Sequence, residues 1–363
     1  MMVVSQLHLH DMPKCGTLLH MPTHKRVKRP TLETLAKEDP LTPRERTQVR
    51  THRKEIRAIL DGSDDRLLVI TGPCSAWPDA AVLEYAKRLA ELRERHRDTL
   101  NIVMRVYTQK PRTTTGWAGV VVQPDPFAAP SIVKGARYAR RMMRDVLALG
   151  LPIADEMLFT HKYAWLGDLL SWVAIGARSS EDHEHRVFAS GLDVPVGLKN
   201  PTSGDLVVAV NSVVSAQASH THYEQGYEVT TAGNPYAHLV LRGGKHPNYR
   251  ARHLELVRDR MSLHNATNPA VIVDASHGNA TRRGIKDPML QAKVARDVAR
   301  LRKSNTAYRA LVRGIMLESF LAPGAQKLAE CTTDTVRRDG CSITDPCISW
   351  EDTERVLASL TRM

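Results

Sequence analysis

The sequence predicts an α/β fold, a (β/α)8 TIM barrel preceded by an N-terminal extension. Three observations carry this. Eight short runs rich in β-branched and apolar residues alternate with longer amphipathic stretches, the pattern of a parallel sheet covered by helices. Eight is also the number of strands that closes such a barrel. Finally, a charged or reactive residue stands at or just beyond the end of each run, on the rim where such barrels keep their chemistry.

Residues 1–40 are rich in His, Pro, Lys and Thr without a sustained period, so they are expected to be flexible or to dock on a neighbouring subunit. From Thr42 to Leu60 the pattern predicts a helix. Thr42 serves as N-cap, Pro43 takes the first helical position, and Glu45 completes a capping box. The turn DGSDD stops it. Residues 1–60 are thus read as extension and helix, and 61–363 as the catalytic barrel. The strand runs are 66–74, 101–110, 151–158, 172–178, 195–200, 238–244, 270–277 and 310–319. Between them lie helical segments at 79–96, 131–150 and 287–303, with apolar positions recurring at three and four, and Gly150 stops the second. No glycine-rich dinucleotide fingerprint or P-loop follows the first run, which excludes those nucleotide-binding classes.

With 363 residues, 42% of them hydrophobic, the chain can bury one large core. Its start lacks the features of a secretory signal. No run approaches the roughly 20 apolar residues of a membrane span, so a cytoplasmic enzyme without a membrane partner is expected. Cys15, Cys74, Cys331, Cys341 and Cys347 are odd in number and show no CxxC pairing, which points to reduced thiols. A net charge of +12 would suit a nucleic-acid binder. Against that reading, aromatics are only 5% and many of the basic residues are dispersed, so no nucleic-acid partner is expected.

The run ends divide by chemistry. Arg105, Lys110, Arg112, Arg178, Lys199 and Arg242 form a cationic set, more positive charge than one carboxylate needs and suited to phosphorylated small molecules. Singly, each could be a surface ion-pair partner, but six at strand ends converge if the strands converge. Cys74, His277, Glu318 and, in the loop SITDPC, Asp345 form a mixed thiol, imidazole and carboxylate set. Such a set suits a first-row divalent metal, Mn, Fe, Co or Zn, better than a structural zinc. Alone, a strand Cys is usually a small core hydrophobe and an Asp before Pro a turn former; four from different strand ends argue jointly for a metal.

At these residues a family resemblance emerges. TGPCSAW, MRVYTQKPRTTTGWAG, WVAIGARSSEDHEHRVFASG, PVGLKNPTSGD, LRGGKHPNY, DASHGNA, GIMLES and SITDPCISWEDT resemble, in order and spacing, the signature segments of the type I 3-deoxy-D-arabino-heptulosonate 7-phosphate (DAHP) synthases. The resemblance spans about residues 59–360. It implies condensation of phosphoenolpyruvate with erythrose 4-phosphate, the first step of the shikimate pathway. It makes Cys74, His277, Glu318 and Asp345 the metal ligands, and Arg105, Arg178, Lys199 and Arg242, with Glu156 nearby, the phosphoenolpyruvate clamp. Lys110, Pro111, Arg112 and Thr113 would hold the aldose phosphate; on chemical grounds, Lys110 or a metal-bound water is expected to protonate the new alkoxide. The resemblance also implies a homo-oligomer, dimer or tetramer.

Departures fall at Ala76, Trp77 and Pro78, at VVVQPDPF (120–127) and at Phe320, where the family carries polar groups. They are expected to place apolar groups near the acceptor, and they leave open a paralogue of specialised metabolism with another phosphorylated aldose. The segments 156–165 and 220–236 depart where family members bind an aromatic amino acid, so weak or absent feedback inhibition is expected. A non-catalytic nucleic-acid-binding protein is the remote alternative, suggested only by charge.

Overall fold

The computed structural model describes residues 28–112, 115–224, 226–282 and 284–362. Within it, Thr31–Met363 form one compact unit. The eight expected strands are all present: β1 Leu67–Gly72, β2 Leu100–Arg105, β3 Ile153–Glu156, β4 Trp172–Ile175, β5 Val196–Lys199, β6 Ala237–Leu241, β7 Val271–Asp274 and β8 Val312–Glu318. Each pairs in parallel with its neighbours, and β8 returns to β1 with Gly72 opposite Glu318, closing the barrel. The N-terminal stretch carries α1 (Leu32–Glu38) and α2 (Pro43–Asp61). Around the barrel run α3 (Asp79–Arg95), α4 (Ile132–Ala148), the single turn α5 (Tyr163–Leu166), α6 (His183–Gly191), α7 (Leu206–Gln217), α8 (Ala251–Leu263), α9 (Leu290–Ser304), α10 (Thr306–Leu311) and α11 (Trp350–Leu360).

Strand side chains alternate between two cores because successive residues point to opposite faces. Leu67, Val69, Ile102, Met104, Val173, Ile175, Ile315 and Leu317 pack outward against the helices. Leu68, Ile70, Val103, Ala154, Trp172, Ala174, Val240, Ile272 and Met316 fill the barrel interior. α2 begins as expected: the Glu45 amide donates to the Thr42 hydroxyl (3.2 Å), the Thr42 amide donates to the Glu45 carboxylate (2.7 Å), and Gly62 ends the helix at φ 89°. Its Ile56, Ile59 and Leu60 join the interior cluster, and Asn101 donates to Glu55 (2.9 Å), so this helix seals the N-terminal mouth of the barrel.

Within the stretch 1–40, read as an extension that is flexible or docks on a neighbour, the structure forms the helix α1. This seven-residue helix has no period long enough to read from sequence; it is fixed by the Thr31 cap and by burial of Leu35 against the main core. Two short antiparallel pairs were also not foreseen, Thr221–Glu224 with Tyr227–Thr230 and Thr281–Arg282 with Ile285–Lys286. Cys74, Cys331, Cys341 and Cys347 are free, as the cysteine pattern implies, and Cys15 lies outside the described residues. No helix among the described residues is long and apolar enough to cross a membrane.

Candidate active site

The inward parity of the strands delivers the site. Arg105, Glu156, Lys199, Asp274 and Glu318 are the last residues of β2, β3, β5, β7 and β8, and each is an even number of positions from an interior core residue of its own strand or, for Lys199, continues inward from Gly197. Cys74, Arg178 and Arg242 keep the same parity just beyond β1, β4 and β6. The backbone allows this crowding through glycine. Gly72 has φ 153°, and a Cβ there would fall 2.5 Å from the Arg105 carbonyl oxygen; a Cβ at Gly176 would fall 2.1 Å from the Glu156 carboxylate.

Lys110, Pro111, Arg112, Glu156, Arg178, Lys199, Arg242, His277 and Asp345 line one cavity of about 320 Å³ at the C-terminal mouth. Five cations thus face two carboxylates. Arg105, Cys74 and Glu318 lie behind this wall, and Thr113 falls outside the described residues. Arg105 is fully buried, donates to the Pro73 carbonyl (3.1 Å) and pairs with Glu318 (3.2 Å), while its Nη1 has no hydrogen-bond partner among the described residues.

Cys74, Glu318 and Asp345 bring one ligand atom each within 4.8 Å of one another. His277 reaches this cluster from the 3-10 turn His277–Ala280, at φ 52°, a conformation that breaks the strand parity. Its Nε2 lies 3.7 Å from Glu318, and its Nδ1 makes a 2.9 Å electrostatic contact with Asp274 that is not an aligned hydrogen bond. Burial pushes the imidazole down against the pull of Asp274 and Glu318, and the Asp274 contact at Nδ1 favours the tautomer that leaves Nε2 available. A thiol and two carboxylates so gathered, with an imidazole nitrogen 3.7 Å from one of them, suit the donor preferences of a divalent first-row metal.

The charges explain one another. Burial alone would push the Glu318 carboxyl up, but Lys286, His277, Arg105 and Lys110 outweigh it and hold it well below the usual carboxylate range. Burial and the Glu318 charge push the Cys74 thiol up, while Lys110 opposes them, donating to the Cys74 carbonyl (2.8 Å) with its Nζ 3.2 Å from the sulfur.

Three residues at the site escaped the sequence reading. Asp274 orients His277 and lies 3.4 Å from Lys199. Tyr107 presents its ring to Arg105 (4.0 Å), Lys199 (5.6 Å) and Lys110 (5.7 Å), a platform at the top of the interior core. Lys286 pairs with both Glu318 and Asp345. Inward parity could have found Tyr107, two positions beyond Arg105, and Asp274, two beyond Ile272; nothing in the spacing marks Lys286.

The departures near the acceptor need correction. Trp77 and Phe320 are buried in the main core, Phe320 against Tyr85 at 6.1 Å, and neither lines the cationic cavity. Of the segment 120–127, Gln123, Pro126 and Phe127 line an adjoining cavity of about 650 Å³ that shares Arg112, Thr115, Thr344 and Asp345 with the first.

Comparison with known proteins agrees with this architecture. The profile of the DAHP synthetase I family matches residues 42–358. The chain is 42% identical to the Trp-sensitive phospho-2-dehydro-3-deoxyheptonate aldolase of Enterobacter agglomerans, over 91% of this chain and 93% of that protein. It is likewise 42% identical to the Phe-sensitive enzyme of Escherichia coli K12, over 88% and 90% respectively. The solved structure of phospho-2-dehydro-3-deoxyheptonate aldolase from Francisella tularensis SCHU S4 superimposes with a TM-score of 0.87 at 35% identity, covering 94% of this chain and 98% of that one. The chain belongs to the DAHP synthetase I family.

Proposed function

We propose that this chain condenses phosphoenolpyruvate with erythrose 4-phosphate and water, giving 3-deoxy-D-arabino-heptulosonate 7-phosphate and phosphate, the entry step of aromatic amino acid biosynthesis. The observation that carries this reading is the meeting of Lys110, Arg112, Arg178, Lys199 and Arg242 on one cavity whose wall includes His277 and Asp345. Two phosphorylated substrates and a carboxylate need that much positive charge, and an aldehyde acceptor needs an electrophilic centre beside it. The catalytic unit is residues 61–363, with 1–60 as its extension, working in the cytoplasm as a homo-oligomer, dimer or tetramer.

Arg105, Arg178, Lys199 and Arg242 hold phosphoenolpyruvate, with Glu156 beside them. Lys110, Pro111, Arg112 and Thr113 hold the aldose phosphate. Cys74, His277, Glu318 and Asp345 would hold the divalent metal, Mn, Fe, Co or Zn, which when bound polarises the aldehyde carbonyl. The guanidinium forks fix the enol so that its C3 faces the aldehyde carbon, converting a bimolecular encounter into a near-attack arrangement. As the carbon–carbon bond forms, Lys110 gives its proton to the new alkoxide. Water then adds at C2 and phosphate leaves.

Phosphate release by metal-stripped protein with Mn²⁺ restored, given both substrates, beside a Cys74→Ala control, tests the reading. Turnover that requires metal and Cys74 supports it; an enzyme indifferent to both defeats it. Phe127 in the adjoining cavity favours a second reading, a larger phosphorylated aldose as acceptor, which a panel of aldose phosphates separates from the first.

A further inference from the structure

The Lys286 ammonium lies inside the cluster of Cys74, Glu318 and Asp345. Its Nζ donates to Glu318 Oε2 at 2.6 Å and to Asp345 Oδ2 at 2.9 Å, so a single ammonium ties together carboxylates from the end of β8 and the loop beyond it. It reaches them from the short pair Thr281–Arg282 with Ile285–Lys286, in which Thr281 stands opposite Lys286. That pair follows directly on the turn bearing His277, and the Thr281 hydroxyl donates to the His277 carbonyl (3.0 Å). One excursion of the chain therefore carries both His277 and Lys286 to the cluster.

Glu318 is engaged on every side: Ser276 donates to Oε2 (2.7 Å) and Arg105 to Oε1 (3.2 Å). A divalent cation bound through Glu318 and Asp345 must contend with an ammonium already bonded to both. Lysine suits that role, because its charge is compact and its four-carbon stem lets it withdraw, whereas a rigid guanidinium fork would not.

We propose that Lys286 is a positioning residue, a tethered cation that clamps Glu318 to Asp345 and competes with the divalent metal for them, so that it sets how reversibly the chain holds its metal. This rests on the metal reading of the cluster. Two effects of opposite sign follow. The ammonium stabilises the stripped protein by neutralising adjacent carboxylates, and it weakens metal uptake because its hydrogen bonds must be given up.

The test uses full-length protein stripped with a chelator. The Mn²⁺ dissociation constant is measured by competition with a fluorescent chelator, together with the melting temperature of the stripped protein. Lys286→Met and Lys286→Gln should melt lower when stripped yet bind Mn²⁺ about tenfold to a hundredfold more tightly, the worth of one or two charge-assisted hydrogen bonds. A merely structural lysine would leave affinity unchanged or weaken it, and that result in either folded variant overturns the proposal. In the wild type, amine-selective acylation read by mass spectrometry should show Lys286 reacting faster once Mn²⁺ is bound; unchanged labelling overturns the proposal without any variant. Failure of the underlying reading looks different: wild type would take up no Mn²⁺, and Cys74→Ala would match it.

Discussion

Lys162 Nζ lies 2.8 Å from Asp155 Oδ2 with both side chains wholly inaccessible to solvent. The pair is a hub. Lys162 also donates to the Glu156 carbonyl (2.7 Å) and the Thr108 hydroxyl (3.2 Å), while Asp155 Oδ1 accepts from the amides of Glu156 (2.8 Å) and Thr108 (3.1 Å). It thus fixes the end of β3 against the segment that leads from β2 to Lys110. Removing one partner leaves a buried charge uncompensated, so Lys162→Met should cost about 3–5 kcal/mol in denaturant unfolding. Replacing both, as Lys162→Met with Asp155→Leu, should recover part of that loss. A single variant as stable as the wild type would show that the pair contributes nothing.

Lys110 donates to the Cys74 carbonyl and faces the cavity from the β2 side. If it protonates the alkoxide, Lys110→Met should lower kcat by about 10²–10⁴-fold, the usual worth of a positioned acid, with little change in KM for phosphoenolpyruvate. Lys110→Arg should restore only a fraction. Steady-state kinetics in both substrates decides: normal kcat with a raised KM for the aldose would make Lys110 a binding residue alone.

The barrel was legible because its signals are local and periodic. Runs such as AVIVDASH combine β-branched composition with a reactive end, and burial of both faces of a parallel sheet leaves few other readings. The strand-end cations, Cys74 and Glu318 follow from the same periodicity, and Asp345 from the loop beyond the last strand. Lys286 and Lys162 were not legible: the partners of the first are 32 and 59 residues away, and that of the second, Asp155, lies buried near the end of β3. A lysine in a two-residue ladder or a single helical turn has no sequence period to mark it. α1 was missed for the same reason, and the roles expected of Trp77 and Phe320 failed because sequence position beside a site does not say which way a side chain points.

The family resemblance puts an aromatic amino acid effector against segments 156–165 and 220–236. In the first, the Lys162–Asp155 pair fills the interior, and Tyr163 packs edge-on to Phe188 at 5.8 Å. Saturating phenylalanine, tyrosine or tryptophan should therefore change turnover by less than about twofold, below the usual range of allosteric coupling. Inhibition of about fivefold or more by any one of them in a steady-state assay would overturn this.

His238 sets an acid limit on stability. On β6, inside the barrel, it is fully buried, its Nε2 accepts from the Trp172 indole (3.1 Å), and its Nδ1 lies 2.8 Å from the Tyr236 carbonyl. Burial pushes it from 6.5 down to about 4, because a charged ring would lose its solvation and its bond from Trp172. The folded protein therefore binds this proton less readily than the unfolded chain does. The stabilisation is complete above the unfolded value and is lost as pH falls through 6.5 toward 4, by up to about 3 kcal/mol. Buried His52, pushed to about 4 by burial and by Arg93, adds a loss of the same sign in the same window. Urea unfolding at pH 7.5 and pH 5 should show the drop, and His238→Gln should reduce it by about half. A variant that keeps the full pH dependence would place the acid sensitivity elsewhere.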